Sequence, residues 1–216
     1  MLQVRNFQYS IGKKVSPKIN INIPPYTINL IVGDNGEGKT LFFRSLIDEN
    51  PIIGGNFFIE KNSSRLKDFN FNYCPVTEYH HFYMTVKEYL EYIQVAFNVC
   101  KKKLNELCGL FDLRPHLNTK ICNLSDGEKR RFAIINTEIL PGHISFYDEP
   151  EANLDIVTRK KWLDFLNRRR REKTFLIITH YPKLYANISH QVLELNSESS
   201  NIFSHIDFDK HEELFK

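Results

Sequence analysis

Residues 33–40 read Gly-Asp-Asn-Gly-Glu-Gly-Lys-Thr and fit the phosphate-loop pattern G-x-x-x-x-G-K-[ST] at every fixed position. Few sequence features constrain a fold so tightly, because such a loop is entered from a buried strand and left through a helix. Both flanks comply. Ile28-Asn29-Leu30-Ile31-Val32 is an apolar, β-branched run suited to a buried strand. Leu41-Phe42-Phe43-Arg44-Ser45-Leu46 has a helical apolar pattern, which would place an anion at a helix N-terminus. Gly33, Gly36 and Gly38 free the backbone to turn and bring its N–H groups close to a polyphosphate. Lys39 supplies a mobile point charge, and the Thr40 hydroxyl can ligate Mg²⁺. The nucleotide-binding positions read from this stretch are Gly33, Asp34, Asn35, Gly36, Glu37, Gly38, Lys39, Thr40 and Leu41.

The rest of the chain sets bounds. Its 216 residues suffice for one large domain with a sizeable core, and 42% apolar with 25% charged residues is ordinary for a soluble globular protein. A net charge of +3 is too small to imply a nucleic-acid partner. The opening Met1-Leu2-Gln3-Val4-Arg5-Asn6 has no signal-peptide core, and no apolar run reaches membrane-spanning length. Any membrane role is therefore expected through a partner. Cysteines 74, 100, 108 and 122 are scattered without a C-x-x-C pair, which fits a reduced cytosolic setting without zinc.

Short apolar runs alternate with turn residues at the start: Leu2-Gln3-Val4, then Ile19-Asn20-Ile21-Asn22-Ile23 before Pro24-Pro25. Strands are also expected at Phe57-Phe58-Ile59-Glu60 and at Phe69 to Tyr73. After Pro75 the pattern turns helical. Thr85-Val86-Lys87-Glu88 is a capping box ahead of Tyr89, Leu90, Tyr92 and Ile93, and a second helix is expected from Lys101 to Phe111. The reading is one domain over 1–216: an α/β core at about 1–75 and 123–216, with an inserted helical lobe at about 76–122. A buried strand at Ile144-Ser145-Phe146-Tyr147, a helix around Arg159 to Arg171 and a strand at Phe175 to Ile178 argue for a mostly parallel sheet.

Three segments extend the phosphate loop into a constellation. Leu124-Ser125-Asp126-Gly127-Glu128 precedes a helical stretch; Ser125-x-x-Glu128 also reads as a capping box, and either way a helix start there is an anion-binding tip. Asp148-Glu149 ends an apolar strand, so Asp148 is read as holding Mg²⁺ and Glu149 as orienting the attacking water. Ile177-Ile178-Thr179-His180 is a strand ending in an imidazole, one helix and one strand downstream of Glu149, where it could contact a γ-phosphate.

In this order and spacing the segments resemble the ATPase subunit of the ATP-binding cassette (ABC) superfamily. Residues 33–40 resemble Walker A, 124–128 the Leu-Ser-Gly-Gly-Gln signature, Asp148-Glu149 the end of Walker B, Asn153-Leu154-Asp155 the D-loop and His180 the switch histidine. The resemblance implies a P-loop NTPase fold with a RecA-like, mostly parallel sheet and an N-terminal antiparallel β subdomain. It implies ATP and Mg²⁺ as cofactors, with catalysis by Glu149, His180 and Lys39, and metal contacts from Thr40 and Asp148. Ser125 and Gly127 would cap the γ-phosphate held by a second ABC ATPase subunit, identical or not, in a head-to-tail dimer. Tyr9 is read as an aromatic platform for adenine, with Phe7 close enough to compete.

Three positions depart from the family pattern. Asp126 and Glu128 replace Gly and Gln, adding carboxylates that Lys129, Arg130 or Arg131 would have to offset. Val76 stands where the family has a metal-contacting Gln, so either Thr77 or Glu78 substitutes or that contact is missing. The expected role is powering a membrane exporter from the cytoplasmic face, with separate transmembrane permease subunits and no nucleic acid. The aromatics Tyr79, Phe82, Tyr83, Tyr89 and Tyr92 are either a docking surface for those subunits or core. The rival is a soluble ABC-type ATPase acting on nucleic acid, ribosomes or a cofactor-assembly complex, to which Arg168-Arg169-Arg170-Arg171 would lend a phosphate grip. At a helix end the same run also suits the dipole.

Overall fold

A computed structural model describes residues 1–47, 50–59, 71–75, 83–196 and 199–204. Val76, Thr77, Glu78, Tyr79 and Phe82, together with Glu60, Phe69 and Asn70, lie outside the described residues.

The opening apolar alternation forms β1 (Leu2–Ile11), which pairs antiparallel with β2 (Lys14–Val15) and β3 (Ile19–Ile23). In β3 the Ile-Asn repeat buries Ile19, Ile21 and Ile23 and exposes both asparagines, as a strand with one wet face must. The chain then leaves this sheet as β4 (Ile28–Val32), runs through the glycine-rich loop and enters α1 (Lys39–Leu46). β5 (Ile52–Ile59) returns antiparallel to β1.

The second sheet combines β4 with β6 (Phe71–Cys74), β7 (Ile144–Asp148), β8 (Thr174–Ile178), β9 (Gln191–Leu195) and β10 (Ser200–Ser204). Its order is β10-β9-β4-β8-β7-β6, and every neighbouring pair is parallel except β10 with β9. Between β6 and β7 lie α2 (Val86–Ala96), α3 (Lys101–Leu110) and α4 (Asp126–Ile139); α5 (Ile156–Arg169) links β7 to β8.

Both faces of this sheet are covered, which is why β4, β7 and β8 are buried at every residue. Ile28, Leu30, Val32, Tyr147, Phe175 and Ile177 face the helices, packing with residues such as Phe132 and Trp162. Ile31, Phe146, Leu176 and Ile178 point the other way, onto α1 and the antiparallel sheet. Parallel order brings the C-terminal ends of β4, β6, β7 and β8 to one edge, the usual place for a ligand crevice in such sheets.

Local signals set several boundaries. Thr85 caps α2 reciprocally: its hydroxyl accepts from the Glu88 N–H at 3.2 Å, and its own N–H donates to Glu88 Oε2 at 2.8 Å. Thr85→Ala is expected to cost about 1 kcal/mol, read as a lower urea midpoint at unchanged slope.

Candidate nucleotide site

The loop between β4 and α1 is shaped by what surrounds it. At Gly33, φ is +146°, and a Cβ would stand 2.1 Å from the Leu195 carbonyl oxygen of β9. No side chain fits there without displacing backbone. Asp34, Asn35 and Gly36 are exposed, and Glu37, Gly38, Thr40 and Leu41 are half-buried. Lys39 is buried, and its ammonium donates to the carbonyls of Gly33 at 2.7 Å and Asp34 at 2.8 Å. Burial pulls its pKa down, while Glu149, Asp148, Asp34 and Glu37 pull it back up. The ammonium thus already sits inside the curl of the loop.

Across the sheet edge, the Thr40 hydroxyl donates to Asp148 Oδ2 at 2.7 Å. Asp148 is 1% exposed, and its Oδ1 is buried without a hydrogen-bond partner. Burial raises its pKa; the Thr40 bond counters this, and neighbouring Glu149 raises it further. An orphaned carboxylate oxygen beside a threonine hydroxyl fits a divalent cation well.

Glu149 takes a positive φ of +48° just past β7, and its N–H is held by the Ile178 carbonyl at 2.9 Å. A non-glycine residue there is strained, and the neighbouring strand over-determines it. His180, just past β8, places Nε2 3.1 Å from Glu149 Oε1, with both side chains about one-third exposed. Thus Lys39, Thr40, Asp148, Glu149 and His180, predicted separately along the chain, stand at one edge.

Tyr9 requires a correction. Its ring is 1% exposed, tilted against Phe7 and Phe42 at centroid separations of 6.2 and 5.9 Å, so it has no open face for a base. Its hydroxyl donates to the Gly38 carbonyl at 3.1 Å, and Ile11 crowds the same glycine. Tyr9 therefore braces the loop from beneath. Phe7, fully buried, is closed off as well.

Ser125 and Gly127 begin α4. The Ser125 hydroxyl accepts from the Glu128 N–H at 3.4 Å, and the Ser125 N–H donates to Glu128 Oε2 at 2.8 Å, so the capping box is real. The first amides of a helix lack intrahelical acceptors, so this helix start could receive an anion. Among the described residues, no hydrogen bond joins Ser125 or Gly127 to residues 33–40. Each of the two extra carboxylates has a basic side chain nearby. Lys129 lies 4.0 Å from Asp126, and Glu128 faces His116 Nδ1 at 3.2 Å. Asp155 of the Asn153-Leu154-Asp155 segment caps α5 by accepting from the Thr158 N–H at 2.8 Å.

Arg130 turns inward rather than serving as an offset. It is 4% exposed; Nη1 donates to the Pro75 carbonyl at 2.8 Å, and Nη2 to the carbonyls of Asp148 and Glu149. One guanidinium therefore ties α4 to the ends of β6 and β7. Sequence reading missed this, since an Arg in a basic run looks solvated. Arg130→Met is expected to lower stability by about 2–3 kcal/mol and to slow phosphate release. Arg130→Lys should recover only part of both in denaturation and turnover assays, because an ammonium lacks the fork.

Of the aromatics flanking α2, Tyr89 is buried, whereas Tyr83 is 87% and Tyr92 56% exposed, joined by exposed Val95 and Phe97. Three arginines of the run make bonds at the end of α5: Arg168 donates to the Asp164 carbonyl, Arg169 pairs with Glu172, and Arg170 donates to the Ile188 carbonyl, while Arg171 is exposed. No helix among the described residues is long and apolar enough to cross a membrane.

Comparison with known proteins agrees with this geometry. The family model described as "ABC transporter" matches residues 17–152, more than half of the chain. The lipoprotein-releasing system ATP-binding protein LolD of Wigglesworthia glossinidia brevipalpis is 33% identical over 195 residues, covering 80% of this chain and 82% of that one. The methionine import ATP-binding protein MetN of Clostridium acetobutylicum is 29% identical over 210 residues, covering 89% of this chain, which spans 65% of MetN. A solved ATP-binding subunit of an ABC transporter superposes with a TM-score of 0.85 over 99% of this chain and 94% of that one, at 19% identity, and so shares its fold. The chain belongs to the ABC transporter family, as one of its P-loop nucleotide-binding ATPase domains.

Proposed function

We propose that this chain hydrolyses ATP to power an exporter whose spanning subunits are separate chains, working from the cytoplasmic face as a head-to-tail dimer of cassettes. One observation carries the reading. Thr40 and the half-satisfied Asp148 face the Lys39 loop, with the Glu149–His180 pair at the same edge. We take residues 1–216 as one cassette, with about 76–122 as the lobe that meets the transporter.

Residues 33–41 would wrap the phosphates with backbone N–H groups and Lys39. Thr40 and Asp148 would hold Mg²⁺, which when bound neutralises charge building on the β- and γ-phosphate oxygens. Glu149 accepts a proton from the attacking water and aims it in line with the γ-phosphorus. His180, within hydrogen-bond reach of Glu149, fixes that carboxylate and reaches toward the γ-phosphate. Because Ser125 and Gly127 make no bond to their own loop, they are free to close on the γ-phosphate of a partner cassette. Loss of that phosphate then releases the dimer, a two-state cycle driven by differential affinity.

Relatives named for lipoprotein release (33% identical) and for methionine import (29%) support a transport role. The exposed Tyr83, Tyr92, Val95 and Phe97 suit a contact with a membrane subunit. Within the arginine run, Arg169 pairs with Glu172 and Arg170 donates to the Ile188 carbonyl, which leaves fewer free guanidinium groups for nucleic acid. The test is purification of a tagged Glu149→Gln chain with ATP from membranes and cytosol. Recovery of a polytopic membrane protein is expected; recovery of only ribosomes or nucleic acid would defeat the transport reading.

A further inference from the structure

Glu151 is a buried acid that the reading above leaves without a task. It is 1% exposed in the turn after β7, and its direct partners are two neutral hydroxyls. Tyr185 Oη donates to Oε2 at 2.6 Å, and Thr179 Oγ1 donates to Oε1. Each hydroxyl also accepts a bond from an N–H group: Trp162 Nε1 donates to Tyr185 Oη at 3.0 Å, and the Tyr181 N–H donates to Thr179 Oγ1 at 2.9 Å. An N–H can only donate, so the hydroxyl protons are directed at the carboxylate.

The placement is specific. Thr179 and Tyr181 are the two neighbours of His180, and both are tied, directly or through one hydroxyl, to Glu151. Glu151 itself lies two residues beyond Glu149, whose carboxylate is 3.1 Å from the imidazole. Burying an acid without a directly paired cation is costly, and a well-packed apolar side chain would fill the space at less cost. What the acid adds is a fixed register between the β7 and β8 turns.

We propose that Glu151 is a positioning residue for ATP hydrolysis: through Thr179 and Tyr185 it holds the β8 turn so that His180 stays against Glu149. This rests on the proposed catalytic roles of Glu149 and His180. Misplacing a reacting group by about 1 Å can cost on the order of 10²-fold in rate, so the effect is measurable.

The experiment compares Glu151→Ala and Thr179→Val in the wild-type and His180→Ala backgrounds, following phosphate release across ATP concentrations. Thr179→Val keeps the side-chain shape and covers the case in which Glu151→Ala fails to fold. In the wild-type background each substitution should lower kcat on the order of 10²-fold with KM for ATP unchanged. With His180→Ala, neither should cause further loss, since residues acting as a unit are non-additive. Glu151→Gln, which keeps one acceptor oxygen, should recover part of the rate. Emission from the single tryptophan, Trp162, should shift in Glu151→Ala, because its hydrogen-bonded chain ends at that carboxylate. Equal losses in both backgrounds, or a wild-type kcat for Thr179→Val, would overturn the proposal. If His180→Ala alone turned over at the wild-type rate, the catalytic reading beneath it would fall instead.

Discussion

A Glu149→Gln chain is expected to bind ATP like the wild type while releasing phosphate about 10²–10⁴-fold more slowly, the range typical of losing a positioned general base. The amide is nearly isosteric with the carboxylate but cannot take a proton from water. The backbone should not move, because the Glu149 N–H bond to Ile178 and the Arg130 bond to the Glu149 carbonyl are main-chain contacts on the glutamate side. On the proposed reading binding relies on the loop, Lys39 and Thr40, and the bonds that hold Lys39 and Thr40 do not involve the Glu149 side chain. The effect therefore belongs in kcat. Undiminished phosphate release in a steady-state assay would remove Glu149 from the chemistry.

The second large effect lies beneath the site, in stability. Lys173 and Glu138 form an ion pair at 3.1 Å, with side chains 3% and 1% exposed. Glu138 Oε1 also accepts from Ser145 Oγ at 2.9 Å and Tyr147 Oη at 2.8 Å, both on β7 and just before Asp148. Burial lowers the Lys173 pKa, and the Glu138 charge and hydrogen bond raise it again. Lys173→Ala would leave a carboxylate deep in the protein with hydroxyls as its hydrogen-bond donors and no directly paired cation, at a cost of about 3–5 kcal/mol. By contrast, the exposed pair Lys87–Glu91 at 3.9 Å contributes about 1 kcal/mol or less. Guanidinium unfolding distinguishes the two: a Lys173→Ala loss no larger than that of Lys87→Ala would refute a stabilising role for the buried pair.

What was legible in the sequence was local. The phosphate loop, its strand and helix, and the Thr85 and Ser125 capping boxes each lie within a few consecutive residues, and the structure has those elements where the patterns put them. The sites that escaped depend on partners far along the chain. Tyr9 reads as an adenine platform until Phe42 closes over it from α1. β9 is a short run whose role comes from pairing with β4, and that pairing is what forces glycine at position 33. Of the offsets expected for Asp126 and Glu128, Lys129 does lie beside Asp126, but Glu128 faces His116, which sits beyond α3 and is invisible to a helix-local count. Arg130, Glu138 and Glu151 all hold partners far along the chain: carbonyls at the ends of β6 and β7 for Arg130, two β7 hydroxyls and the Lys173 ammonium for Glu138, and the Thr179 and Tyr185 hydroxyls for Glu151. Sequence patterns mark which residues are polar; only the packed sheet decides which of them are buried and what they hold.

The central claim is that each catalytic site is shared between two cassettes, and subunit complementation tests it most directly. A Lys39→Ala chain keeps its signature but loses its phosphate grip; a Ser125→Arg chain keeps the grip but presents a blocked signature. Each should be nearly inactive alone. Mixed with ATP and Mg²⁺, they can form one intact site per dimer, and phosphate release should return. A Ser125→Arg chain that hydrolyses ATP at the wild-type rate by itself would contradict the shared site, and a mixture as inactive as its parts would contradict pairing between two copies of this chain.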